Sequence, residues 1–160
     1  MQFKKATMED ADIIMNLYQD AMKEEWCTWH EGYPSLETIS GDVARKGLFK
    51  VEDNKGEVVA AISIDEDPLV EELRCWSASK RPGAELARLV VRSDYRNQGV
   101  ARKLLERGME ELRKRGYRSV HFLVSKTNER AIRSYSKLKF DNVGESDLFE
   151  EHWWCYEKAL

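Results

Sequence analysis

The 160-residue chain is 42% hydrophobic and 34% charged, the balance of a folded globular protein, which excludes a disordered or fibrous one. Its length fits one domain, residues 1–160, able to bury about 70% of its unfolded surface. With 26 basic against 29 acidic side chains the formal charge is -3; no Lys/Arg block is large enough for a nucleic-acid surface, so neutral or cationic partners are favoured.

The N-terminal stretch "MQFKKATMEDADIIMNLY" turns acidic before any apolar run of signal-peptide length, and no segment approaches the ~20 apolar residues of a membrane span. A cytoplasmic protein without a membrane partner is expected. "QFKKA" reads as a short strand. Thr7-x-x-Asp10 then resembles an N-cap for a helix whose apolar face is Ala11, Ile14, Met15, Tyr18, Ala21 and Met22. Ser35 can cap a second, shorter helix ending at Gly47. Between these helices lie Trp26, Trp29, His30 and Tyr33. "LFKVED", "NKG" and "EVVAAISID" read as strand, turn and strand, a hairpin.

The acidic segment "DEDPLVEELRCW" suits a loop or a short helical turn, because Pro68 and clustered charges fit neither a central strand nor a long helix. "AELARLVV" is apolar enough for a buried strand. A helix then starts near Gly99, carries Ala101, Leu104, Leu105, Gly108, Met109 and Leu112 at helical spacing, and stops at Gly116. "SVHFLV" is a further strand, "NERAIRSYSKL" a helix and "EEHWWCYEKAL" a terminal strand. The alternation gives a mixed α/β fold with a strand-helix-strand crossover in its middle. Cys27, Cys75 and Cys155 form no C-x-x-C, and His30, His121 and His152 share no ligand spacing, so no disulfide framework and no metal site is assigned.

The chemistry concentrates in "DYRNQGVARKLL". A helix beginning near Gly99 leaves its first four backbone N–H groups without intrahelical partners, and its dipole adds positive character there. Such an end attracts an anion. The missing side chain of Gly99 and the small one of Ala101 let a phosphate approach the backbone, with Arg96 and Arg102 flanking it. The simpler alternative is that Asn97 and Gly99 merely form a turn and a cap. The chain lacks both the P-loop pattern and G-x-G-x-x-G near its first strand, which argues against nucleoside triphosphates and NAD.

"RNQGVA" fits [Q/R]-x-x-G-x-[G/A] through Arg96, Gly99 and Ala101, and "NERAIRSYSKLKF" fits N-x-x-A-x-x-x-Y followed by Phe through Asn128, Ala131, Tyr135 and Phe140. With both motifs, in this order, the chain resembles the GNAT superfamily of acetyl-CoA-dependent N-acetyltransferases. The resemblance implies a central mixed, mostly antiparallel sheet flanked by helices and splayed between its two central parallel strands. It implies acetyl-CoA as co-substrate, its diphosphate bound by the loop of Arg96, Asn97, Gln98, Gly99, Val100, Ala101 and Arg102. Leu89, Val90 and Val91 would pair their backbone with the pantetheine arm as though it were another strand, and Asn128 would also contact it.

Tyr135 would approach the sulfur and protonate the departing thiolate, and Glu85, eleven residues before Arg96, would serve as general base through water, since an amine attacks a thioester only when neutral. Each residue also has a plainer role available: Tyr135 as a core aromatic, Glu85 as a solvated carboxylate, Asn128 as a helix cap. Within the pattern, Lys139 stands where glycine is common, so the helix end either places a lysine in a left-handed conformation or turns differently. Asn97 also replaces a glycine, though Asn tolerates that conformation.

On the acceptor side the resemblance assigns Trp26, Trp29, His30 and Tyr33 to an aromatic pocket for an aliphatic or cationic amine, or to a packed lid. The residues around Trp153 and Trp154 are apolar on both strand faces, which suits burial or pairing with a second copy, so a homodimer is an expectation. The implied activity is direct acetyl transfer to a primary amine of a small molecule. The alternatives are a peptide or protein amine, at an N-terminus or a lysine, and a module that binds acyl-CoA without transferring anything.

Overall fold

The computed structural model describes residues 1–160. They fall into two compact units, one made of Met1–Asp65 and Leu86–Gly108, the other of Glu66–Glu85 and Met109–Leu160.

The first unit begins with strand β1 (Gln2–Lys5). Thr7 opens a 3-10 turn rather than an α-helix: its Oγ1 accepts from the Glu9 N–H at 3.3 Å, and Asp10 Oδ2 accepts from the Thr7 N–H at 2.9 Å. The turn leads into α1 (Ala11–Ala21), which buries Ala11, Ile14, Leu17, Tyr18 and Ala21. Ser35 caps α2 (Leu36–Ala44), accepting the Thr38 N–H at 3.3 Å and returning its own N–H to Thr38 Oγ1 at 3.1 Å. The chain leaves α2 through Lys46 in a left-handed conformation (φ 57). At Gly47 an added Cβ would stand 2.6 Å from the Ile64 carbonyl oxygen, so only glycine permits the close pairing there.

Strands β2 (Leu48–Glu52) and β3 (Val58–Asp65) form the expected antiparallel hairpin. Its turn is fixed by Asp53, whose Oδ1 accepts from the Lys55 and Glu57 N–H groups at 2.9 and 3.0 Å. Ile14, Tyr18, Ile39, Leu48, Ala61 and Val90 pack in one apolar cluster, because α1 and α2 turn their apolar stripes toward a strand that is buried from Val58 to Ile64. Strand β4 (Gly83–Val91) is followed by a 3-10 turn at Ser93–Tyr95.

The second unit contains a short helix α3 (Pro68–Glu71), capped by Asp67 Oδ1 on the Leu69 N–H at 2.9 Å. After helix α4 (Val100–Lys114) come strand β5 (Ser119–Ser125), helix α5 (Glu129–Lys137) and strands β6 (Asp141–Leu148) and β7 (Glu151–Ala159). The strand order is β1-β2-β3-β4-β5-β7-β6. Strands β4 and β5 are parallel, with Gly83, Ala84 and Glu85 in register with Ser119, Val120 and His121; β5 with β7 and β7 with β6 are antiparallel. This is the expected mixed, mostly antiparallel sheet flanked by helices.

Strand β6 has no counterpart among the predicted elements. It reads "DNVGESDL", has no buried residue, and joins β7 through Phe149 and Glu150, both left-handed (φ 56 and 61). An exposed edge strand lacks the apolar alternation that marks a strand, and Phe-Glu is not the Asn-Gly pair that marks such a turn. No helix is long and apolar enough to cross a membrane.

Candidate active site

In the first unit, Leu89, Val90 and Val91 end β4. Val90 is buried in the core and its two neighbours are half-buried, as strand alternation requires. The loop that follows is braced on both sides. Arg92 donates to both Asp94 oxygens at 2.7 and 3.0 Å and to Glu57 at 3.2 Å, Tyr95 Oη donates to Asp53 at 2.8 Å, and Gln98 Nε2 to the Asp94 carbonyl at 2.9 Å. The guanidinium of Arg92 holds the Asp94 carboxyl below its usual range. Asn97 (φ 61) and Gly99 (φ 81) are both left-handed, so the loop reverses twice before α4.

Val100 and Leu104 anchor the start of α4 in the interior, and an added Cβ on Gly99 would meet nothing within 4 Å. The first backbone N–H groups of a helix have no intrahelical partners. Arg102 is exposed and donates to Glu106 at 3.1 Å, one turn along α4. Arg96 reaches backward: its Nη1 donates to Glu24 at 2.6 Å, and its guanidinium carbon lies 5.9 Å from the centre of the Trp26 ring.

Of the four aromatic residues expected on the acceptor side, Trp26 thus meets the loop through Arg96. Trp29 turns into the core, edge-on to Tyr18 with ring centres 5.3 Å apart. His30 and Tyr33 pair through their backbones, each N–H reaching the other's carbonyl at 3.1 and 2.9 Å, and Tyr33 is 41% exposed.

Tyr33 leads to a constellation that no motif announces. Its hydroxyl accepts from Arg88 Nη1 at 3.1 Å, and the same guanidinium donates to Asp42 at 2.7 and 3.1 Å and to Asp65 at 2.8 Å. Arg45 also pairs with both Asp42 and Asp65, and Ser63 donates to Asp42 at 2.7 Å. Arg88 and Asp42 are buried. Burial works against the charge of Arg88, but the facing carboxylates outweigh it and hold the guanidinium above its ordinary value. Arg88 itself sits left-handed inside β4 (φ 51). Its partners come from β3, α2 and the loop before α2, separations at which sequence spacing carries no signal.

In the second unit, Glu85 lies on β4 at 7% exposure, opposite His121 of β5. Asn128 caps α5, its Oδ1 accepting from the Ala131 N–H at 3.1 Å. Two turns further on, the half-buried Tyr135 packs among Phe122, Phe140 and Tyr156, with ring centres 4.6, 6.1 and 6.3 Å away. Burial pushes its phenol up to about 12, so it stays protonated at neutral pH. Lys139 adopts the left-handed conformation (φ 64), the first of the two alternatives at that position, and the chain turns so that the Phe140 N–H reaches the Tyr135 carbonyl at 3.2 Å.

The acetyltransferase (GNAT) family model matches residues 11–140, from the first residue of α1 to Phe140. An uncharacterised N-acetyltransferase of Methanocaldococcus jannaschii is 28% identical over 149 residues, which cover 86% of this chain; the chain spans 59% of that relative's length. Among solved structures, the ribosomal-protein-alanine N-acetyltransferase of Brucella melitensis superposes with a TM-score of 0.77 at 22% identity, covering 100% of both chains. The protein yncA of Salmonella typhimurium, solved with its cofactor acetyl-CoA, gives 0.76 at 19% identity, covering 100% of this chain and 94% of its own. These likenesses carry the fold; the family match, with the loop and the capped helix that bear its two motifs, makes the chain a member of the GNAT acetyltransferase family.

Proposed function

We propose that the chain transfers the acetyl group of acetyl-CoA directly to a primary amine of a small molecule. The observation that carries this reading is the loop of Arg96–Arg102, in which left-handed Asn97 and Gly99 lead the chain into the start of α4 and a Cβ on Gly99 would meet nothing within 4 Å. A diphosphate fits the N–H groups of such a helix start. The acetyl-CoA bound to the Salmonella protein of the same fold supports the choice of co-substrate.

In this reading the N–H groups of Gln98, Gly99, Val100, Ala101 and Arg102 hold the diphosphate, with Arg96 and Asn97 shaping the loop. The backbone of Leu89, Val90 and Val91, together with Asn128, aligns the pantetheine arm. Glu85 accepts the proton that the amine must lose before it attacks. Tyr135 faces the leaving sulfur. Its phenol stays protonated at neutral pH, so Tyr135 donates a hydrogen bond to the developing thiolate and can pass it the proton, being recharged from solvent. Trp26, His30 and Tyr33 offer ring surface to the acceptor, while Trp29 supports them from the core.

The test is CoA release from acetyl-CoA against a panel of polyamines, amino acids, aminoglycosides and short peptides, with acetyl-CoA binding followed by calorimetry. Release with a small amine is expected. Release with peptides alone moves the acceptor to a peptide or protein amine. Tight binding without release from any of them leaves an acyl-CoA-binding module.

A further inference from the structure

Glu85, His121 and Glu157 stand side by side on three neighbouring strands: Glu85 is in register with His121 across β4 and β5, and His121 with Glu157 across β5 and β7. Residues in register project from the same face of a sheet, so three titratable side chains form one row, none more than 7% exposed.

The ring of His121 is held on every side. It stacks on Trp76 with ring centres 4.5 Å apart. Its Nε2 lies 2.8 Å from Glu71 Oε1, and the Glu71 side chain is 36% exposed. Its Nδ1 faces β4 at Gly83, where an added Cβ would stand 3.1 Å from Nδ1 and 2.7 Å from Ser119 Oγ. Gly83 precedes Glu85 by two residues on the same face, and its missing side chain lets the Nδ1 edge of the ring lie against the backbone of the strand that carries Glu85. Glu157 is already engaged, accepting from the Ser77 N–H and Oγ at 3.0 and 2.6 Å with Lys80 Nζ at 3.7 Å; Lys80 also lies 3.8 Å from Asp141. The charged groups around the ring are thus Glu71, Glu85 and Glu157, with Lys80 and Asp141 beyond.

We infer that His121, oriented by Glu71, takes over the proton that Glu85 removes from the acceptor amine. This rests on the reading of Glu85 as base. An ammonium acceptor loses two protons on becoming an amide and the thiolate regains one, so each turnover must discharge one proton. With Nε2–H donated to the Glu71 carboxylate, the Nδ1 lone pair is the available acceptor. The Glu85 O–H bond breaks, the His121 Nδ1–H bond forms, and the imidazolium charge faces the Glu71 carboxylate. After the products leave, the Nδ1 proton returns through Glu85 to water and the starting tautomer is restored. Only O–H and N–H bonds change, and no other reactant is consumed.

The experiment compares His121→Gln, Glu71→Gln, their double variant and Glu85→Gln, reading kcat, KM for acetyl-CoA, the solvent deuterium isotope effect on kcat and calorimetric acetyl-CoA binding. His121→Gln and Glu71→Gln should each lower kcat about tenfold or more, enlarge the isotope effect, and leave acetyl-CoA binding and KM unchanged. The double variant should lose no more than the slower single one. Wild-type turnover by His121→Gln with intact binding overturns the inference; if that variant does not fold, wild-type turnover by Glu71→Gln does so. A slow Glu85→Gln beside an unaffected His121→Gln removes only the role of His121. Glu85→Gln turning over normally removes the base reading, and this inference with it.

Discussion

Replacing Gly99 separates backbone strain from ligand approach. At φ 81 the position demands a left-handed residue, and a Cβ there meets no protein atom within 4 Å. Asn is the side chain that bears this conformation best, so Gly99→Asn should cost the fold about 1 kcal/mol, a fall in Tm of about 2–4 °C for a chain of this size. Binding should suffer far more. Hydrogen bonds to charged groups contribute about 1.5–3 kcal/mol each, and a side chain that holds the diphosphate off two N–H groups removes about 3–6 kcal/mol. The Kd for acetyl-CoA should therefore weaken by about 10² or more, and Gly99→Glu should weaken it further through like-charge repulsion. Thermal denaturation and calorimetry on one preparation distinguish the two effects. A Gly99→Asn protein that melts within a few degrees of wild type and binds acetyl-CoA equally tightly refutes the diphosphate seat.

Three further outcomes are expected. Tyr135→Phe should lower kcat between about tenfold and a hundredfold, the loss of one hydrogen bond to a charged group, with acetyl-CoA affinity unchanged; equal turnover removes the role. Because its phenol is raised to about 12, Tyr135 keeps its proton when the unfolded chain has lost it. Stability should fall as pH rises from 10 to 12, and urea titrations should show a smaller fall in Tyr135→Phe. Arg88→Met strips a buried carboxylate of its main partner and should cost about 3 kcal/mol in urea denaturation. Arg88→Lys should fail to restore it, since one ammonium cannot span Asp42, Asp65 and Tyr33; a wild-type midpoint for Arg88→Lys would count against this. Lys139→Gly should raise Tm by a few degrees by relieving the left-handed lysine at the end of α5, and a lowered Tm would show that the lysine side chain contributes more than its backbone costs.

What could be read in advance was whatever is local. Ser35 ahead of α2 and Asn128 ahead of α5 are caps whose donors and acceptors lie within three residues, and both occur in the structure. Asn97 and Gly99 are legible for the same reason, since a residue's tolerance of left-handed backbone is its own property. The polar interior was not legible. Arg88 reads as one charge in an apolar strand, and its clamp on Asp42 and Asp65 comes into being only when α2, β3 and β4 assemble. His121 likewise looked like a histidine without ligand spacing, because the register that sets it between Glu85 and Glu157 joins residues 36 positions apart on either side. Strand β6 was hidden by the opposite circumstance: it has no interior face to advertise.

That polarity of β6 also governs what the end of the sheet can recruit. In the strand order β6 is last, and Asp141, Asn142, Glu145 and Asp147 are all exposed along it. A second copy laid beside β6 would have to bring its own carboxylates against these while seeking backbone hydrogen bonds. The charges that disguise the strand thus weigh against fibre-like growth from that edge.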